Sequence, residues 1–150
     1  MAYALTLRNS VLSVDPDVNF YFILIDSNEN AAQLGSFIVC LNELNLNLPS
    51  SITFRYTLME FATAVKPFCF KHFLDTMEFE IAIYLDPDIQ VFSPLSKIEK
   101  VLSGSASCVL TPHLLQPLED SATPSNHDIM RSGTFNLGFA AFSHRSEERR

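Results

Sequence analysis

The chain has 150 residues, enough for one domain with a real core, and its formal net charge is −7. At 47% hydrophobic, with 13 Phe and no Trp, it is too apolar for a disordered tail. No basic run exceeds Arg149-Arg150, which excludes a protein that tracks nucleic-acid phosphates. An anionic nucleotide stays compatible with this charge where a divalent metal bridges the two.

Cys40, Cys69 and Cys108 are odd in number and widely spaced. They make neither a disulfide framework nor a zinc ligand pair, and they read as small buried hydrophobes in a reducing compartment. The N-terminus lacks the cationic start and apolar run of a signal peptide. No stretch approaches the ~20 apolar residues of a membrane span. The expectation is a soluble, cytoplasmic protein of one domain, residues 1–150.

In chain order, Tyr3, Ala4, Leu7, Val11 and Leu12 have helical spacing, so residues 2–13 are expected to be a helix. Asp15-Pro16-Asp17 ends it. Asn19 to Asp26 is a nearly continuous aromatic and β-branched run, suited to a strand covered on both faces. Phe37 to Cys40 is a second short strand, and Pro49 to Thr53 a turn. Leu58 to Val65 is a helical segment, and Pro67 fits the first position of another, Phe68 to Leu74. Glu80 to Leu85 is a strand that runs into Asp86-Pro87-Asp88, and Ile89 to Phe92 continues extended. Leu95 to Leu102 is a short helix, Ala106 to Leu110 a strand, His113 to Ser132 a polar loop and Phe135 to Phe142 a last strand. The segment after Ser143 is polar and expected to fray. Strands alternating with helices predict a layered α/β domain with a mostly parallel sheet flanked by helices. Ligands in such sheets bind at the carboxyl ends of the strands, and the most polar end is Leu85-Asp86-Pro87-Asp88.

Positions two apart in extended backbone point the same way, and Pro87 stiffens the pair. Two converging carboxylates repel unless a cation lies between them. A hard, oxygen-liking ion such as Mn²⁺ or Mg²⁺ answers that need and leaves positions for diphosphate oxygens. Asp-Pro-Asp is equally good turn chemistry, with the acids capping backbone.

The segment Tyr84-Leu-Asp-Pro-Asp-Ile-Gln-Val-Phe-Ser-Pro-Leu95 resembles the signature strand of GT-A glycosyltransferases, in which Asp-X-Asp follows a hydrophobic strand. Glu60-Phe-Ala-Thr-Ala-Val-Lys-Pro67 resembles their helix that carries a lysine toward the sugar diphosphate. Arg131-Ser-Gly-Thr-Phe-Asn-Leu-Gly-Phe139 resembles the strand whose Phe-Asn-x-Gly sets an amide beside the donor sugar. The three occur in the family's order, and the nearest resemblance is to bacterial members related to the glycogenin-like, retaining enzymes. It implies a Rossmann-like GT-A nucleotide-diphospho-sugar transferase domain. The implied activity is metal-dependent transfer of a sugar from a nucleoside diphosphate donor, UDP by expectation, to a saccharide or lipid-linked acceptor of a cell-envelope polysaccharide.

Carried over residue by residue, Asp86 would lie near the ribose and the metal, Mn²⁺ or Mg²⁺, and Asp88 would ligate it directly. Lys66 would neutralise phosphate or contact the sugar, and Asn136 would bond sugar hydroxyls. Asp26 would line the nucleoside pocket, while His113, Asp128 and Arg131 are candidates for the sugar or acceptor side. Each also has an ordinary use. Lys66 suits a solvated helix start, Asn136 a turn or bulge beside Gly138, and His113 an ordinary loop. Arg131 suits an ion pair with Asp128, Glu60 a helix surface, and His72 with Phe68, Phe70 and Phe73 a core-facing helix.

The resemblance runs from about Tyr3 to Ser143, whereas family members begin with a strand before the first helix and continue past the Phe-Asn-x-Gly strand. A domain truncated at both ends is therefore expected. Its exposed strand edges favour self-association. The alternative function is a non-catalytic remnant that binds a nucleotide sugar or a protein partner. A lipid-linked acceptor would place the protein at the inner face of the membrane, although no basic amphipathic helix supports this. A nucleotidyltransferase would need a Gly-rich phosphate loop near the N-terminus, which is absent from a chain with four glycines.

Overall fold

The computed structural model describes residues 2–25, 35–44, 46, 48, 51, 55–119 and 123–144. Within them the chain is mixed α/β. Helix α1 spans Ala2–Val14 and turns Leu7, Ser10 and Val11 inward. Strands β1 (Phe22–Leu24) and β2 (Ile38–Cys40) pair in parallel. A 3₁₀ turn at Leu41–Leu44 follows, then α2 (Leu58–Ala64) and α3 (Lys66–Lys71). Thr57 and Glu60 start α2 as a reciprocal capping box, and Pro67 sits in the first turn of α3, where its missing N–H costs nothing. One turn of π-helix, His72–Thr76, leads out of α3.

The second sheet holds β3 (Ile81–Leu85), β4 (Cys108–Pro112) and β5 (Phe135–Ser143), in the order β3-β5-β4. Helix α4 (Ser96–Ser103) joins β3 to β4, and α5 (Asn126–Ser132) lies between β4 and β5.

The expected mostly parallel sheet does not form among the described residues. β5 is antiparallel to both neighbours, so only the small β1–β2 sheet is parallel. The strand–helix–strand alternation does make β3 and β4 run the same way, as a crossover should. They never meet, because β5 inserts between them in the opposite direction. Its residues Ala140 and Ala141 are almost fully buried there, and small side chains let a central strand pack under covering elements.

The core around the first sheet joins Leu41, Leu44, Val65 and Cys69, with Ile23, Val39, Phe61 and Phe73 against them. Phe73 also stacks on Phe79 and tilts against Tyr21, and Phe70 meets Phe142 edge-on. Phe70 and Phe73 thus face the packed interior, as expected of the core side of this stripe. Cys40 and Cys69 are buried, while Cys108 is exposed and departs from the buried reading because it opens the edge strand β4. Burial raises the Cys69 thiol pKa to about 11, which keeps it an inert hydrophobe.

Ser10 of α1 and Asp15 just after it bond to the segment after Asp88. Ser10 Oγ accepts from the Val91 amide at 3.0 Å, and Asp15 Oδ2 accepts from the Leu95 amide at 2.8 Å. The stretch from Ile89 to Phe92 is held by these bonds and forms no strand. No helix among the described residues is long and apolar enough to cross a membrane.

Candidate functional site

The site forms where β3 ends. The Asp86 amide donates to the Gly138 carbonyl at 2.7 Å, extending the β3–β5 ladder by one residue, so Asp86 lies opposite Gly138. The chain then turns through Pro87 and Asp88. Antiparallel pairing brings the start of β5 to this end of β3, and Thr111, near the end of β4, pairs with Asn136. A cleft of about 370 Å³ opens there, lined by Asp86, Asp88, Ile89, Thr111, Asn136, Gly138 and Phe139.

A break in register shapes the floor. Leu110 pairs with Ala140 but Thr111 pairs with Asn136, so residues 137–139 have no partner on β4. Irregularities of this kind re-aim strand groups and recur beside functional sites. Here one freed group, the Leu137 carbonyl, accepts from Lys66 Nζ at 2.9 Å.

Lys66 also reaches Asp86 Oδ1 at 3.4 Å and lies 4.2 Å from the centre of the Tyr84 ring. Its side chain is only 12% exposed, so it is no solvated helix-start lysine. It stands behind Asp86 rather than on the cleft wall. Tyr84 completes the arrangement, its hydroxyl donating to the same Oδ1 at 2.5 Å. Burial, the bond to Asp86 and the charges of Asp86 and Asp88 all push the Tyr84 pKa up, so the phenol stays a proton donor at ordinary pH.

Asn136 combines both of its readings. Its Oδ1 accepts from the Gly138 amide at 2.8 Å, as a turn-forming Asn would. Its Nδ2 has no partner among the described residues, which leaves two donors for a ligand in the cleft. Gly138 is required by proximity, since its backbone has no positive φ. A Cβ there would lie 2.9 Å from Asn136 Oδ1 and 3.1 Å from Asp86 Oδ2.

Four of the sequence candidates, Lys66, Asp86, Asp88 and Asn136, thus meet at one place, and three of them line the cleft. The others do not join them. Asp128 closes a capping box with Ser125 at the start of α5, a helix inside the segment expected to be loop. Arg131 forms no ion pair with Asp128 among the described residues. His113 Nδ1 pairs with the Gly133 carbonyl at 3.0 Å, bracing the loop mouth. Asp26 falls outside the described residues. Tyr84 and Gly138 were missed as functional residues, although Tyr84 lies two positions before Asp86 on an extended strand, the spacing that puts side chains on one face.

The two capping carboxylates make a testable pair. Hydrogen bonds from the Ser125 side chain and backbone hold the Asp128 pKa below its usual value, and Thr57 does the same for Glu60 through backbone and then side chain. A group with a depressed folded pKa stabilises above its unfolded value, and that contribution is lost as pH falls through the folded one. The starts of α2 and α5 should therefore loosen only below the ordinary carboxylate range, about pH 4. Amide exchange at Glu60 and Asp128, followed from about pH 6 to about pH 2, checks this. Protection lost well above pH 4 would contradict it.

No family model matches the chain, and comparison with curated proteins and with solved structures found no match.

Among the described residues no three His, Cys, Asp or Glu side chains cluster as a metal-ligand set. Asp86 and Asp88 nevertheless share one cleft with Thr111 and Asn136, whose polar groups are a hydroxyl and an amide, beside the apolar Ile89 and Phe139. That chemistry fits Mg²⁺ or Mn²⁺, which is commonly held by one or two protein carboxylates while water and ligand phosphates complete its shell.

Proposed function

We propose that this domain binds a nucleoside diphosphate sugar through a divalent cation at Asp86 and Asp88, and serves a metal-dependent glycosyltransferase of GT-A type. One observation carries the reading. Three segments that resemble that family in sequence, far apart in the chain, supply Lys66, Asp86, Asp88, Asn136 and Gly138 to a single strand-end site.

Asp88 and the Oδ2 side of Asp86 would hold Mn²⁺ or Mg²⁺, which supplies charge for a diphosphate leaving group. Asn136 Nδ2 would donate to sugar or phosphate oxygens. Lys66, 3.4 Å from Asp86 Oδ1, offsets part of the pair's negative charge from behind. Among the residues lining the cleft, no side chain is a strong nucleophile, so transfer would rest on positioning the two substrates. The acceptor would be a saccharide or a lipid-linked one.

Calorimetric titration of UDP into the chain, with Mn²⁺ and then with EDTA, tests this. Binding is expected with Mn²⁺ and should disappear on chelation. Absence of binding in a folded sample with Mn²⁺ would overturn the assignment, and equal binding in EDTA would remove the metal from it.

A further inference from the structure

Asp86 is held unevenly. Both donors near it, the Tyr84 hydroxyl and the Lys66 ammonium, converge on Oδ1. Oδ2 lies instead beside Gly138, itself a residue of the cleft lining. Tyr84 is not part of the cleft lining, so it reaches a ligand only through Asp86. Its ring also carries the Lys66 ammonium at 4.2 Å from the centroid, which sets the height of the second donor.

We propose that Tyr84 is the positioning residue of this site: its hydroxyl, together with Lys66, ties up Asp86 Oδ1 so that only Oδ2 is offered, and the site thereby selects a small octahedral cation over Ca²⁺. The inference rests on the metal reading above and goes beyond it to cation selectivity. Mg²⁺ and Mn²⁺ suit single oxygens from each carboxylate in a tight octahedral shell. Ca²⁺ takes six to eight oxygens and readily accepts both from one carboxylate. A carboxylate pinned at one oxygen satisfies the first demand and frustrates the second. Groups that orient metal ligands are commonly worth about 10–100-fold in affinity.

The test is Tyr84→Phe, which keeps the ring beneath the ammonium and removes only the hydroxyl. Mn²⁺ binding to the whole chain is followed by the electron paramagnetic resonance signal of the free aquo ion, and Ca²⁺ binding by competition against it. The variant should bind Mn²⁺ about tenfold more weakly, while Ca²⁺ binding changes by less than about twofold, because the freed oxygen opens a two-oxygen mode to it. Equal weakening of both ions would mean a merely structural role and overturn the proposal, as would unchanged Mn²⁺ binding. Lys66→Met removes the other donor and should move the Mn²⁺/Ca²⁺ ratio the same way. If circular dichroism shows Tyr84→Phe unfolded, this second variant decides, and a ratio it leaves unmoved overturns the proposal. An unaltered chain that binds neither ion would remove the metal site and this inference together. A chain that binds Mn²⁺ but shows no change of ratio removes only the role of Tyr84.

Discussion

Asp88→Ala should abolish Mn²⁺-dependent UDP binding while the melting midpoint stays where it was. Asp88 is exposed in the turn after β3 and makes no hydrogen bond or ion pair to the described residues, so its loss leaves no buried partner unsatisfied. Asp86, by contrast, is already engaged by Tyr84 and Lys66, and its amide continues the ladder to Gly138. Asp88 is therefore the carboxylate free to give its full charge to a cation. A group that merely orients a ligand is worth about 10–100-fold in metal affinity, and removing one of the two carboxylates that line the cleft among the described residues should exceed that range. Calorimetric titration of UDP at fixed Mn²⁺ reads the effect. Undiminished binding would sink the metal assignment, and a collapse of the melting midpoint would show that Asp88 serves the turn instead.

Gly138→Ala should damage both the site and the fold. The new methyl would stand 2.9 Å from Asn136 Oδ1, too close without a shift, and 3.1 Å from Asp86 Oδ2, which is tight. The Asn136 side chain can swing away, but that breaks its 2.8 Å bond with the Gly138 amide. Asp86 has less freedom, because Tyr84 and Lys66 hold Oδ1 from the other side. Overpacking of this kind costs about 1–3 kcal/mol of stability. Displacement of Oδ2 should weaken Mn²⁺ binding by about 10–100-fold, the range for groups that orient a metal ligand. Thermal unfolding and Mn²⁺ titration on the same sample separate the two effects. A variant that loses stability yet binds Mn²⁺ unchanged would show that Oδ2 is not offered to the cation.

Local pattern was enough for most elements. Helical spacing of Leu7 and Val11 marked α1, the aromatic run marked β1, and the Phe-Asn-x-Gly strand appears as β5 with nearly its expected bounds. Helix α5 is hard to see in the sequence because only the Ser125-x-x-Asp128 box announces it, and a polar segment of seven residues has too little apolar periodicity to register. Among the described residues of the long run that starts at Asn19, only Phe22–Leu24 form a strand, since a strand's length depends on a partner that periodicity does not reveal.

The sequence by itself determined the chemistry on offer: two carboxylates around a proline at a strand end, a lysine before Pro67, and an amide next to a glycine. Those are properties of residue types at short spacing, although the turn closed by the Ile89 amide on the Asp86 carbonyl, not strand alternation, sets Asp88 beside Asp86. Only the tertiary structure decided that they belong together. Had β5 paired in parallel, as the strand–helix alternation suggested, Asn136 and Gly138 would lie at the far end of β3 from Asp86. Reversal of β5 between β3 and β4 instead sets Gly138 opposite Asp86 and Thr111 opposite Asn136. It also sets Lys66, largely shielded from solvent, against Asp86 Oδ1. Strand direction is fixed by how buried residues such as Ala140 and Ala141 pack between neighbours, a long-range balance that no short stretch of chain encodes.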